Sequence, residues 1–286
     1  TGFSYVLDVM PLTHFRSAGS GRAAARRAGV EHAVVSAGGA RAEWFTPPGV
    51  TGGPVLLYLH GGGWVFGLSP LHYTFLADLS RRLGWRVLAV DYRLAPEHPF
   101  PAGLDDCLAA YRWLRAEGQP AGQIVVAGDS AGGNFTLALL LALKASGEAL
   151  PAAGVGLSPA VDLTWPLPAG AARDPLLPPR LAERLLAAYT RAADPANPLV
   201  SPRLGNLAGL PPLLILLGGG ELLRPSGEAF VADARAAGVD VTLELAPGMW
   251  HVWPLFAPFV PEAEAAVQAC LRFVRQHTAQ PVAAGG

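Results

Sequence analysis

Gly128-Asp129-Ser130-Ala131-Gly132 is the stretch on which the reading of this chain turns. It spells G-x-S-x-G. Before it, Gln123-Ile124-Val125-Val126-Ala127 is a short apolar, β-branched run of the kind that forms a buried strand in a parallel sheet. After it, Asn134-Phe135-Thr136-Leu137-Ala138-Leu139-Leu140-Leu141-Ala142-Leu143 is rich in strong helix formers. Strand, sharp turn and helix are the setting in which G-x-S-x-G becomes a nucleophile elbow. So tight a turn needs small residues around the serine, and Gly128, Ala131, Gly132 and Gly133 supply them. The Ser130 hydroxyl is then expected above the carboxyl end of the sheet, at a helix N-terminus that favours developing negative charge. Taken alone, the five residues would also suit a plain glycine-rich strand-to-helix turn, so their neighbours have to decide.

The first of these is His60-Gly61-Gly62-Gly63-Trp64, at the end of the apolar run Val55–Leu59. Three successive glycines let a backbone approach a ligand closely and aim N–H groups at it. Acyl transfer needs such donors for the oxyanion of its tetrahedral intermediate. An HGGG-type loop after the third strand, with the N–H that follows the nucleophile, is the described arrangement. Gly62, Gly63 and Ala131 are therefore the oxyanion-hole candidates. A merely flexible loop is the alternative, and the G-x-S-x-G downstream tells against it. A base is needed next. The seven histidines are His14, His32, His60, His72, His98, His251 and His277. Only His251 sits in a loop just after the last expected strand, at the same sheet edge as Ser130.

The chain has 286 residues, 51% hydrophobic and 15% charged, enough for one large core with a cap. Its net charge of −1 gives no reason to expect nucleic acid or an anionic membrane as partner. Arginine supplies nearly all the basic charge and Lys144 is the only lysine, a bias read as genomic. Cys107 and Cys270 fall in helical-looking segments and are expected to be buried free thiols. No apolar run is long enough to span a bilayer. Thr1-Gly2-Phe3-Ser4-Tyr5 shows no basic region followed by an apolar one, so secretion is not indicated and a cytoplasmic location is expected.

Strands are expected at 31–36, 41–46, 55–59, 86–90, 123–127, 154–157, 212–217 and 239–245, alternating with helices after the first two. That alternation predicts an α/β fold, a mostly parallel eight-stranded sheet with helices on both faces. From 161 to about 210 the pattern breaks into a proline-rich stretch with one amphipathic helix at 179–192, read as a lid. The expected organisation is an N-terminal cap segment at 1–30, a core at 31–161 and 209–279, a cap insertion at 162–208 and a loose tail at 280–286.

These motifs together resemble the bacterial hormone-sensitive-lipase-like carboxylesterases of the α/β-hydrolase fold. The matching pieces are His60–Trp64, the stretch from Asp91 to Ala102, Gly128–Asn134, Ser158-Pro159-Ala160-Val161-Asp162-Leu163, Pro198-Leu199-Val200-Ser201-Pro202 and His251-Val252-Trp253, in the family's order. The resemblance implies Ser130 as nucleophile, His251 as base, an oxyanion hole from the glycines and Ala131, a cap, and preference for short- to medium-chain acyl esters. Arg93 and Glu97 are read as a buried ion pair that holds loops, and Asp162 as a loop-tying carboxylate. One departure stands out. The family usually carries Asp in a D-x-L-x-D-x-G turn after the seventh strand. Here the stretch is Gly220-Glu221-Leu222-Leu223-Arg224-Pro225-Ser226-Gly227, and its leucine and final glycine align when Glu221 takes the acid's place. The order Ser, acid, His is the α/β-hydrolase order, and Glu is an accepted acid. Asp233 lies mid-helix and Asp240 at the wrong edge of the sheet.

The reading is thus serine-dependent ester hydrolysis through an acyl-enzyme. A small-molecule ester is the expected partner, with no metal or organic cofactor and with room for a homodimer. Trp64, Phe66, Trp165 and Trp250 are the candidates for an apolar pocket. Amide or N-formyl hydrolysis and acyl transfer would use the same residues, and a ligand receptor on a dead hydrolase is a more distant alternative.

Overall fold

The computed structural model describes residues 21–166, 174–191, 193–257 and 259–278. Most of the expected N-terminal cap segment, residues 167–173 of the expected insertion and the expected tail lie outside them. Among the described residues one sheet contains eight strands: β1 (Glu31–Ala37), β2 (Ala40–Thr46), β3 (Val55–Leu59), β4 (Arg86–Asp91), β5 (Ile124–Asp129), β6 (Ala153–Leu157), β7 (Leu213–Gly218) and β8 (Val241–Ala246). Their order is β1-β2-β4-β3-β5-β6-β7-β8. β1 is antiparallel to β2 and β2 to β4, and every pairing from β4–β3 to β7–β8 is parallel. The helices are α1 (Gly21–Ala28), α2 (Pro70–Leu83), α3 (Ala102–Ala116), α4 (Ala131–Ala145), α5 (Pro179–Thr190), α6 (Arg224–Ala236) and α7 (Pro261–His277).

The central strands are continuous apolar runs because both faces of the sheet are covered. Successive side chains point to opposite faces and enter two separate cores. Leu57, Leu59, Val126, Ile215 and Leu217 pack with α3, α4 and α6 on one side. Leu56, Tyr58, Val125, Leu214 and Leu216 pack with α1, α2 and α7 on the other. α4 is apolar nearly all round, and almost every residue in it is buried, as a helix in the middle of a large core must be. It starts at Ala131, earlier than its composition suggests, because packing at the elbow overrides the weak helix propensity of Gly132 and Gly133.

α2 opens with a capping box in which histidine replaces the usual Glu or Gln. The His72 N–H donates to Ser69 Oγ, and the Ser69 N–H donates to His72 Nδ1 at 3.2 Å. Between β6 and β7 the chain leaves the sheet, and α5 lies in this excursion. Asp162 does tie that loop, accepting from Thr164 and pairing with Arg203 at 3.0 Å. The expected Arg93–Glu97 pair needs correction. Arg93 pairs with Asp106 of α3 at 2.8 Å, the guanidinium is half exposed and Glu97 is exposed, since this loop runs over the surface. No helix among the described residues is long and apolar enough to cross a membrane.

Truncating the central helix tests this packing. Leu139→Ala, at a fully buried position of α4, is expected to cost about 2–5 kcal/mol. A urea titration should show a lower midpoint with an unchanged slope, while the far-UV circular dichroism at 25 °C stays near wild type.

Candidate active site

β5 and α4 meet at Ser130, which is forced to φ +51° and ψ −115°. Its N–H donates to Leu157 O of β6 at 2.8 Å, so the turn is pinned to the next strand. Gly132 must be glycine here, since a Cβ would lie 1.8 Å from Leu59 O of β3. The Ser130 hydroxyl is 2.8 Å from His251 Nε2. His251 is buried in the loop after β8, where the sequence placed it.

The loop after β3 runs beside the serine. Gly62 sits at φ +115°, a backbone that side chains rarely adopt. Both Gly62 and Gly63 line the same cavity as Ser130 and His251. Their N–H groups make no hydrogen bond among the described residues. Ala131 is the first residue of α4, where helical N–H groups have no partner within the helix. The arrangement offers a hydroxyl, a base and unpaired backbone donors around one point. Together these suit the attack of an alkoxide on a carbonyl and the support of the anion that results.

A buried network holds that loop in place. Asp129, one residue before the serine, accepts from Tyr58 OH and Gly61 N, both at 2.8 Å, and from His72 Nε2 at 3.2 Å. Because the Ser69 N–H can only donate, His72 Nδ1 is the acceptor, and Nε2 carries the hydrogen directed at Asp129. Burial alone would push the Asp129 carboxyl up. His72, Tyr58 and Gly61 outweigh it and hold the group below the usual carboxylate range. His60 stacks on Tyr92 at 4.1 Å, and Tyr92 OH donates to His60 O. Burial, then neighbouring His72, lower His60 to about 4, so its ring is neutral at ordinary pH. Sequence reading assigned none of this network. The available signal was the set of polar side chains (Tyr58, His60, His72, Asp129) among apolar neighbours.

Glu221 follows β7, and its side chain is fully buried. Backbone bonds from Gly219 N to Ala246 O and from Gly220 N to Met249 O lace its loop to the one bearing His251. Glu221 Oε2 is 3.8 Å from His251 Nδ1, too long for a hydrogen bond but close for an ion pair. Catalytic contacts are often this loose without substrate. Asp233 instead pairs with Arg203 from the surface of α6, and Asp240 stands at the start of β8. Ser158, at the end of β6, donates to Glu221 Oε2 at 2.5 Å. The sequence reading quoted that serine within a motif and gave it no role.

The cavity over Ser130 measures about 330 Å³. Its walls are mostly apolar, with Leu177, Leu181 and Leu185 from the excursion facing Leu223, Val252 and Leu255. Trp64, Phe66 and Trp165 line it, and Trp64 stacks on Tyr189 of α5 at 4.2 Å. Trp250 does not line it. Its ring packs on Phe256, which does line the cavity, at 5.9 Å. Among the described residues, no cluster of His, Cys, Asp or Glu is arranged to hold a metal ion.

Comparisons with known proteins add the family and its relatives. The sequence model of the Abhydrolase_3 family, described as alpha/beta hydrolase fold, matches residues 56–255, a stretch that includes Ser130, Glu221 and His251. An acetyl-hydrolase of Streptomyces hygroscopicus is 41% identical over 253 residues, covering 86% of this chain and 83% of that protein. A carboxylesterase/phospholipase of Mycobacterium tuberculosis is 37% identical over 269 residues, covering 88% of this chain and 70% of that protein. The crystal structure of an esterase from the bacterial hormone-sensitive lipase family superposes with a TM-score of 0.81 at 37% identity, over 96% of this chain and 98% of that one.

The Asp129 network carries a pH signature. A carboxyl held below its unfolded value contributes stability that is present above the unfolded pKa of about 4 and lost as pH falls through the folded value. Asp129→Asn gives the three converging donors one acceptor oxygen and no charge. It should unfold at lower urea than wild type at pH 7, and the gap should narrow as the pH is lowered below about 4.

Proposed function

This chain belongs to the Abhydrolase_3 family of the alpha/beta hydrolase fold and is a carboxylic ester hydrolase of the hormone-sensitive-lipase type, and on that premise we propose that it cleaves small esters with Ser130, His251 and Glu221 as its triad. The observation that carries the proposal is the 2.8 Å contact between Ser130 Oγ and His251 Nε2 at the floor of the apolar cavity.

Ser130 Oγ attacks the ester carbonyl while His251 Nε2 takes its proton. The oxyanion that forms is met by the N–H groups of Gly62, Gly63 and Ala131. His251 then hands the proton to the departing alcohol, which leaves an acyl group on Ser130. Water repeats the sequence, deprotonated by His251, and releases the acid. Glu221 faces Nδ1 and supports the imidazolium, and the added charge on the ring draws the two groups together from 3.8 Å. The excursion at 162–208, as far as it is described, is proposed to act as the cap, with α5 closing over the cavity. A volume of about 330 Å³ lies near the small end of ligand pockets, which run from ~300 to ~1,000 Å³. That supports a preference for short to medium acyl chains.

Ser130→Ala should fold as wild type, lose esterase activity by several orders of magnitude and escape labelling by an active-site phosphonate. A variant that keeps a tenth of the rate would refute the assignment. On a series of p-nitrophenyl esters, kcat/KM should fall once the acyl chain exceeds medium length. Faster turnover of long-chain emulsified triglycerides would count against the cap reading. Matched amide substrates, run beside the esters, should be cleaved far more slowly.

A further inference from the structure

Ser158 is completely buried, at φ +49°, immediately after β6. Non-glycine residues at positive φ carry strain that a structure retains where the geometry is needed. Among the described residues five non-glycines are at positive φ. Besides Ser158 they include Ser130, Val252 directly after the base, and Trp64 in the oxyanion loop. Ser158 thus shares the backbone signature of the site, although it does not line the cavity.

Its hydroxyl makes two bonds of opposite sense. The Val252 N–H donates to Ser158 Oγ at 3.0 Å. A backbone N–H cannot accept, so the single hydroxyl hydrogen is free for Glu221 Oε2 at 2.5 Å. One atom therefore links the acid's loop to the base's loop. The Glu221 carboxylate has no other side-chain donor among the described residues, and its Oε1 is buried without a partner. Other charged groups stand nearby and are engaged elsewhere. Asp174 accepts from Leu222 N, Arg224 pairs with Glu228, Asp162 pairs with Arg203, and Asp129 binds His72 across the cavity. A glutamate reaches one methylene further than the aspartate usual in this turn and has one more rotatable bond to fix.

Taking Glu221 as the catalytic acid, we propose that Ser158 is the positioning residue of this triad, a hydroxyl clamp that fixes the rotamer of Glu221 and holds the backbone behind His251. By donating to Oε2 the hydroxyl also shares the negative charge with the imidazole. Without it, the Glu221–His251 pair holds its proton more tightly, whichever member carries it. His251 then reaches its working neutral form only at higher pH.

Ser158→Ala and Ser158→Gly test the clamp together. Both remove the hydroxyl, but alanine keeps the backbone strain and glycine relieves it. In both, kcat should fall about tenfold or more, the scale of one hydrogen bond to a charged group, with KM little changed. The acid limb of kcat/KM should move to higher pH in both, whatever their melting temperatures do. Adding Ser158→Gly to Glu221→Gln should cost little further rate, since both act through one carboxylate. Rates that follow the melting temperatures of the two variants, with the acid limb unmoved, would make Ser158 merely structural and overturn the proposal. Glu221→Gln alone separates the two ideas. A fully active Glu221→Gln removes the acid assignment and the clamp with it. An inactive Glu221→Gln beside Ser158 variants of wild-type rate and pH profile removes the clamp alone.

Discussion

Leu59 O and Gly132 occupy space that no side chain could share, and from this close approach of β3 to α4 the rest of the site follows. It brings the chain after β3 alongside the elbow. Asp129 can then grip Gly61 N while Ser130, the next residue, points into the cavity. Ser130 and the backbone N–H groups of Gly62 and Gly63 are therefore fixed by one turn and a carboxylate beside it. The preorganisation that makes such donors effective comes from burial, since the Asp129 carboxylate beneath them is buried and accepts from Tyr58, Gly61 and His72.

Glu221 and His251 are held by a different device. They hang from β7 and β8, and no single turn fixes both. Backbone hydrogen bonds lace the two loops, and Ser158 reaches in from β6 to join them through one oxygen. The site is thus assembled from two halves, and the contact between Ser130 and His251 joins them.

Much of this was legible in the sequence because it rests on local rules. Alternating strand and helix patterns, continuous apolar runs and glycine-marked turns follow from backbone geometry, so the sheet, Ser130 and His251 could be placed without coordinates. Side-chain partnerships between distant segments could not. Arg93 was given a neighbour in sequence, and its ion pair is with Asp106 on a helix that packs beside it. Trp250 adjoins His251 in sequence, yet it is not among the residues that line the cavity, and its ring meets Phe256. The partners of Asp129 come from β3 and α2, and that of Glu221 from β6. Periodicity says which face a residue takes and is silent about which polar atom it will meet there.

The strand order also dictates when the chemistry arrives. β3 pairs with β5, joining residues as distant in sequence as Leu57 and Val126, and β4 with α3 must fold out of the way between them. β7 and β8 add later pieces of chain. Loop closure has to be offset before such non-local contacts return anything, so long-range parallel pairing is slow. Helices, by contrast, form on local information. A refolding chain therefore regains helical signal early, with the largely apolar α4 still exposed and prone to self-association. Catalytic competence comes only when the far ends of the sheet have closed, so for this molecule activity is the late clock of folding.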